Sequence, residues 1–288
     1  MKSKSILFVG CGDLGARTGG LLRAQGWQVA GMRRELSLLP PGFTGIGGDY
    51  TEPGSLAFIA DLRPDYVVTT CNPVDRSVAG YRQGFTGAAG NLLAGLADYH
   101  PRAVFMVSST RVFAEREGGW VDETSDLERE DPRALAIIEA ERALLDSGHT
   151  ACVVRFGGIY GAAGGRLLAR IRRGELCAPE PVRYTNRIHR QDCGGFLAHL
   201  LLAMASGAPL EPVYIGVDDD PAPRFEVETW LAREMGIAAG PGVTAPDSPG
   251  GHKRCRNRLL HASGYRLLYP DYRSGYRAVL ESGLTPPG

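Results

Sequence analysis

Three glycines stand at the first, third and sixth positions of Gly10-Cys11-Gly12-Asp13-Leu14-Gly15, directly after the apolar run Ser5-Ile6-Leu7-Phe8-Val9. The helical pattern Leu14 to Gln25 follows, then Gly26 and a second apolar run, Trp27 to Met32. This order is that of a buried strand, a tight turn, a helix and a second strand, which confines the chain to parallel strands joined by a helical crossover. In such a turn the backbone N–H groups and the positive end of the helix converge outside the strand, where they suit two linked phosphates. Gly10, Cys11, Gly12, Asp13, Leu14 and Gly15 are therefore candidate pyrophosphate-binding residues, and NAD or NADP is the expected cofactor.

The end of the second run separates the two. A free ribose 2′-hydroxyl is usually held by an acidic residue about 20 residues beyond the glycines, whereas a 2′-phosphate calls for arginine. Here the sequence reads Met32-Arg33-Arg34, with no acidic side chain ahead of the arginines. Guanidinium groups pair bidentately with phosphate, so Arg33 and Arg34 predict NADP. Glu35 follows and keeps NAD as the alternative.

Further apolar runs, at Gly45 to Gly48, Tyr66 to Thr70, Ala103 to Ser108 and Ala151 to Phe156, alternate with helical segments. The six runs predict an α/β fold with a doubly wound parallel sheet. Leu92, Leu93, Leu96 and Ala97 share one helical face, and Ile137, Ile138, Glu141, Leu144 and Leu145 another; this helix pair offers a route to a homodimer. After Tyr160 the alternation loosens. A glycine-rich turn from Gly161 to Gly165 leads into a basic helix, Arg166 to Arg173, and a Pro-containing segment, Ala178 to Val182. We divide the chain into a dinucleotide-binding part, 1–160, and a smaller substrate-side α/β part, 161–288, interleaved with it. The Gly/Pro/Ala-rich segment Ala238 to Gly251 reads as a loop.

Arg and Lys number 32, as do Asp and Glu, and the arginines form no basic stripe, so a nucleic-acid surface is not expected. The apolar stretch after the basic start ends at Gly10, too short for a signal peptide or membrane span, which predicts a cytoplasmic protein with no membrane partner. The six cysteines show no CxxC spacing and sit in apolar surroundings, predicting reduced, packed thiols and no metal site.

Several motifs occur together in order: the glycine turn, Gly48-Asp49, Val107-Ser108-Ser109-Thr110-Arg111-Val112-Phe113, and Val121-Asp122-Glu123. They continue with Arg155-Phe156-Gly157-Gly158-Ile159-Tyr160-Gly161, Asn186-Arg187-Ile188-His189-Arg190-Gln191-Asp192 and Asp218-Asp219-Asp220-Pro221. In this set the chain resembles the extended and atypical short-chain dehydrogenase/reductases, in the branch described as NAD-dependent epimerase/dehydratase-like, over most of its length. The ending, Lys253 to Asn257 with Tyr269-Pro270-Asp271-Tyr272, resembles the atypical members. The resemblance implies a Rossmann sheet, with Asp49 at the adenine and Thr70, Cys71 and Asn72 along the ribose and pyrophosphate. It further implies Gly157, Gly158 and Ile159 facing the nicotinamide, and Ser109 in the place of the catalytic serine.

One part of the pattern is absent. Members of the family carry a tyrosine and, four residues later, a lysine on the helix after the serine strand, where the lysine lowers the tyrosine pKa for proton exchange. Counted back from Glu139-Ala140-Glu141, those positions hold Arg133 and Ile137, and no Tyr or Lys occurs between Trp120 and Arg155. The expected function is an NADP(H)-dependent oxidoreductase acting on a small carbonyl or hydroxyl substrate, anionic or sugar-nucleotide-like. Tyr160, His189 or Tyr81 would supply the proton, with Ser109 and Thr110 as hydrogen-bonding partners. Arg187, with Arg166, Arg170, Arg172 and Arg173, would bind an anionic group. Two alternatives stay open: a non-catalytic NADP-binding redox sensor or scaffold, and an NAD-dependent sugar-nucleotide epimerase or dehydratase.

Overall fold

A computed structural model describes residues 3–238 and 252–284. The first half runs β1 (Ser5–Val9), α1 (Asp13–Ala24), β2 (Gln28–Arg33), β3 (Thr44–Gly47), α2 (Ile59–Leu62), β4 (Tyr66–Thr69), α3 (Val78–Tyr81), α4 (Ala88–Leu96) and β5 (Ala103–Ser109). It continues with β6 (Trp120–Val121), α5 (Pro132–Leu145), β7 (Ala151–Phe156), β8 (Gly158–Tyr160), α6 (Arg166–Arg172), β9 (Tyr184–Thr185), β10 (Arg187–His189) and α7 (Arg190–Ala205). The last elements are β11 (Val213–Gly216), β12 (Ala222–Pro223), α8 (Arg224–Glu234), β13 (Arg254–Cys255), α9 (Arg258–Ala262) and α10 (Tyr272–Leu284).

The main sheet has seven strands in the order β11-β7-β5-β4-β1-β2-β3. The pairings β1 with β2 and β4, β2 with β3, and β4 with β5 are all parallel. The strand order reverses at β1, so a crevice opens beside the carboxyl end of β1, the usual ligand position in such a sheet. Its central strands are short and continuously apolar because both faces are covered: Ile6, Leu7, Phe8, Val67, Val68, Val104 and Phe105 are at most 1% exposed. All six predicted strands form, with ends shifted by a residue at most. The seventh, β11, was not predicted from its short Val-Tyr-Ile-Gly stretch.

The chain folds as two compact units that interleave along the sequence. The first comprises 1–112, 127–155 and 194–214; the second comprises 113–126, 156–193 and 215–288. The second unit has its own core, in which Leu168, Ile171, Val227, Leu231, Tyr272 and Tyr276 pack together. In the first unit the predicted apolar faces of α4 and α5 bury Leu92, Leu96, Ile137, Ile138 and Leu144. The predicted loop lies outside the described residues except for Ala238. No described helix is long and apolar enough to cross a membrane. The six cysteines are buried, and none forms a disulfide among the described residues.

Candidate functional site

Each glycine of the turn between β1 and α1 has its own physical reason. Gly10 takes φ +80°, a left-handed conformation that starts the turn, and a Cβ there would stand 3.0 Å from the Tyr50 ring. At Gly15 a Cβ would meet Cys11 Sγ at 3.2 Å and Phe8 at 3.3 Å, so its absence lets α1 pack closely on β1. Gly12 differs, because a Cβ there would come no nearer to the protein than 3.9 Å. The fold does not require that glycine, and its backbone is open to the approach of another group. Gly12 is also the N-cap of α1 and provides no side-chain cap, which leaves the first-turn N–H groups open to an anion.

This turn forms one wall of a cleft of about 520 Å³ lined by Gly10, Cys11, Gly12, Arg33, Arg34, Asp49 and Asn72 among others. Asp13 lies in the first turn of α1 and pairs with Arg17 at 3.0 Å. The Cys11 thiol is pushed up to about 11 by burial, against the nearby Arg33, so it stays protonated at neutral pH. The two arginines behave differently. Arg33 Nη1 donates to Cys11 O at 3.3 Å and Leu38 O at 3.1 Å, bracing the glycine turn. Arg34 keeps 81% of its side chain exposed and meets Asp49 only at 3.6 Å.

Asp49 is oriented by local bonds: its Oδ1 accepts from Thr51 N at 3.0 Å and Thr51 Oγ1 at 2.8 Å. The first of these, ahead of Arg34, holds its carboxyl below the usual range. Thr70 and Cys71 do not line the cleft: Thr70 Oγ1 donates to Gly10 O and Cys71 lies buried against Thr69, while Asn72, which does line it, donates from Nδ2 to Thr70 O at 3.2 Å. Tyr50 was missed from sequence. Its hydroxyl accepts from Asn72 N at 3.1 Å, so the phenol spans the cleft between the β3 and β4 loops. An aromatic residue directly after Gly48-Asp49 was the available signal.

Ser109 ends β5 in the same unit. Its Oγ accepts from Arg111 N at 3.2 Å, which leaves the hydroxyl proton available for another oxygen. Thr110 begins the 3-10 turn Thr110–Val112. The adjoining Ser108 hydroxyl donates to Glu141 of α5, and Glu141 is paired with Arg155 at 2.8 Å; all three are buried. This network fixes the end of β5 against α5. Along α5, Ile137 is buried and Arg133 occupies the first turn. Tyr81 stacks on Phe85 at 5.8 Å, with the Arg111 guanidinium 5.5 Å from its ring.

In the second unit a Cβ at Gly157 would fall 2.9 Å from Val217, while Gly158 N donates to Asn186 O at 2.9 Å. Ile159 is 49% exposed. Tyr160 and His189 lie in an aromatic cluster: Tyr160 stacks on Tyr276 at 4.3 Å and meets His189 edge-on at 5.3 Å, and His189 packs on Tyr269 at 4.1 Å. Burial first, and Asp218 second, hold the Tyr160 phenol far above its ordinary range. His189 is only 4% exposed. These surroundings suit packed rings better than groups exchanging protons with a substrate. Arg187 lines a separate pocket of about 320 Å³ with Arg166, Arg170 and Arg224.

No family model and no curated protein matches the sequence. Solved structures do. A protein from Methylobacillus flagellatus, provisionally named an NAD-dependent epimerase/dehydratase, is 37% identical, covers 97% of this chain and 98% of its own, and superposes with a TM-score of 0.80. A protein of unknown function from Silicibacter pomeroyi is 26% identical over 98% of this chain and 100% of its own, with a TM-score of 0.75. The UDP-glucose 4-epimerase of Thermus thermophilus, solved with NAD, has the same fold at 19% identity, 96% and 98% coverage and a TM-score of 0.79.

Proposed function

Because this chain belongs to the NAD-dependent epimerase/dehydratase family of extended short-chain dehydrogenase/reductases, we propose that it is an NADP(H)-dependent oxidoreductase acting on a small carbonyl or hydroxyl compound. The observation that carries the reading is the cleft over the glycine turn. One wall offers unblocked backbone at Gly12, and Arg33 and Arg34 line it too. A bound nicotinamide would supply the hydride. Gly10, Cys11, Gly12, Asp13, Leu14 and Gly15 would hold the pyrophosphate, and Asp49 the adenine side. Asn72 would line the ribose, while Gly157, Gly158 and Ile159 would face the nicotinamide. Arg34, largely exposed and weakly paired, is the better candidate for a 2′-phosphate; Arg33 is partly committed to the backbone.

Ser109 donates a hydrogen bond to the reacting oxygen in this reading, and the alkoxide left by hydride addition takes its proton from water, so reduction needs no strong base. Thr110 would assist in binding the substrate. NAD, bound by the Thermus epimerase, remains the competing cofactor. Titration of NADPH and NADH against the protein and its Arg34→Gln variant tests the choice. We expect tighter NADPH binding, weakened about tenfold in the variant (about 1.4 kcal/mol), with NADH unaffected. Equal or tighter binding of NADH by the unmodified protein would reverse the assignment.

A second reading is favoured by α5 itself, which carries neither tyrosine nor lysine: a protein that binds the dinucleotide and reports its redox state without turnover. The same lack ranks sugar-nucleotide epimerisation or dehydration lower, since oxidation of a substrate hydroxyl calls for a base. Consumption of NADPH against a library of carbonyl compounds separates enzyme from sensor. In the enzyme, Ser109→Ala lowers kcat at least about 100-fold while NADPH affinity holds; an unchanged kcat removes Ser109 from the chemistry.

A further inference from the structure

The geometry points to a phosphate-monoester site in the arginine pocket of the second unit, one that takes a compact dianion. Four arginines, Arg166, Arg170, Arg187 and Arg224, line this pocket of about 320 Å³. Their neighbours hold them there. Glu228, 1% exposed, accepts from Arg170 Nη2, from Arg224 Nε at 2.7 Å and from Cys177 N at 2.6 Å, so one buried carboxylate fixes two guanidiniums at the pocket wall. Arg187 is 7% exposed, and its two Nη atoms donate to the carbonyl and hydroxyl of Thr185. Arg166 has no hydrogen bond or ion pair among the described residues and is exposed.

The charge is unbalanced as a result. Among the described residues Glu228 is the only carboxylate lining the pocket against four guanidiniums, and it already accepts three hydrogen bonds, two of them from Arg170 and Arg224. Each guanidinium has five N–H donors in a planar fork that matches phosphate oxygens bidentately. The bonds made to Glu228 and Thr185 leave several of these donors unused. Asp218, whose charge acts on Arg187, is pushed up to about 8 by burial and so does little to neutralise that arginine at pH 7. A solute with two negative charges and three acceptor oxygens offsets this excess better than a monocarboxylate.

The lining also sets the size and kind of the rest of the ligand. Leu167 and Val227 are its apolar members, and no aromatic side chain among the described residues lines it, so a nucleobase finds no ring to stack on. The volume lies at the lower end for small-molecule sites. A UDP-sugar, the ligand class named for two proteins of the same fold, would have to place its base outside these residues. The inference uses the oxidoreductase reading only in calling the bound monoester a substrate.

Calorimetry on the intact protein tests it with four probes: glycerol 3-phosphate, inorganic phosphate, succinate and UDP-glucose, each against unmodified protein and Arg166→Gln, with NADPH titrated on the same samples. Glycerol 3-phosphate is expected to saturate at millimolar concentration or below and to bind about tenfold more weakly to Arg166→Gln (about 1.4 kcal/mol), while NADPH affinity stays constant. The proposal is overturned if the monoester fails to bind protein that binds NADPH, or if its affinity ignores both Arg166→Gln and the double variant Arg166→Gln/Arg224→Gln with circular dichroism showing folded protein. Succinate or UDP-glucose binding tenfold more tightly than the monoester overturns it too, as does binding of inorganic phosphate alone. Monoester binding without any NADPH binding would keep the pocket and sink the oxidoreductase reading, so the two failures are distinguishable.

Discussion

Two regions of the molecule suit anionic groups, and they are built from different material. Around Gly10 to Gly15 the site is backbone: a left-handed glycine, an uncapped helix start and a position where no side chain intrudes. In the second unit it is side chain: guanidiniums brought together from α6, β10 and α8, two of them tied by Glu228. A backbone site depends on φ and free space, so adding one carbon alters it without touching any charge. A side-chain site depends on its scaffold of counter-charges, and removing one buried acid releases several partners together.

The sharpest break in that comparison is Glu228→Ala. It should cost about 3 kcal/mol of stability, at the lower end for breaking a buried pair because Arg170 and Arg224 are partly exposed. Urea denaturation measures it, and a loss below about 1 kcal/mol would mean that the pocket is not organised by this carboxylate. Next comes a pair of glycine variants. Gly12→Ala should leave the melting temperature unchanged but weaken dinucleotide binding by about 1.4 kcal/mol. Gly15→Ala should lower the melting temperature, because its Cβ enters a 3.2–3.3 Å contact with Cys11 and Phe8. If both variants lose stability equally, the distinction between ligand-required and fold-required glycine fails.

The last effect concerns pH. Asp218 is buried, its Oδ2 has no hydrogen-bond partner, and its carboxyl is raised to about 8. The folded chain therefore holds a proton that the unfolded chain has lost between the ordinary carboxylate range and about pH 8. Stability falls as pH rises through that window, by about 1 kcal/mol per pH unit, and levels off above it. Asp218→Asn should flatten this part of the curve in denaturation experiments from pH 6 to 9. An equally steep decline in the variant would assign the slope to other groups.

Legibility in the sequence followed the range of the interactions. Strands β1 to β5 and β7 could be read because each is a local apolar run with a turn signal at its end. Strand β11 could not, since four residues, Val213 to Gly216, become a strand only by pairing with a neighbour distant in sequence. The cleft followed the same rule: Gly10 to Gly15, Arg33 and Arg34 were read from the turn and the strand end, and Asp49, Thr70, Cys71 and Asn72 came from the family resemblance; of these, Asp13, Leu14, Gly15, Thr70 and Cys71 do not line it. Tyr50 escaped notice because its role rests on a bond to Asn72, in another loop.

Tyr160 and His189 show the opposite difficulty. Their chemistry and their place beside recognised motifs suggested proton transfer, but packing against Tyr276 and Tyr269 governs their environment. What the sequence determined by itself was the crossover with its glycine turn, the apolar strands and the absence of tyrosine and lysine on α5, because those depend on backbone conformation, periodicity and residue identity. What only the tertiary structure decided was the entry of Arg224 into one pocket with Arg166, Arg170 and Arg187, and the pairing of Arg170 and Arg224 with the buried Glu228. Charge and burial are properties of positions in space, and residues many turns apart acquire them only when the chain has closed around them.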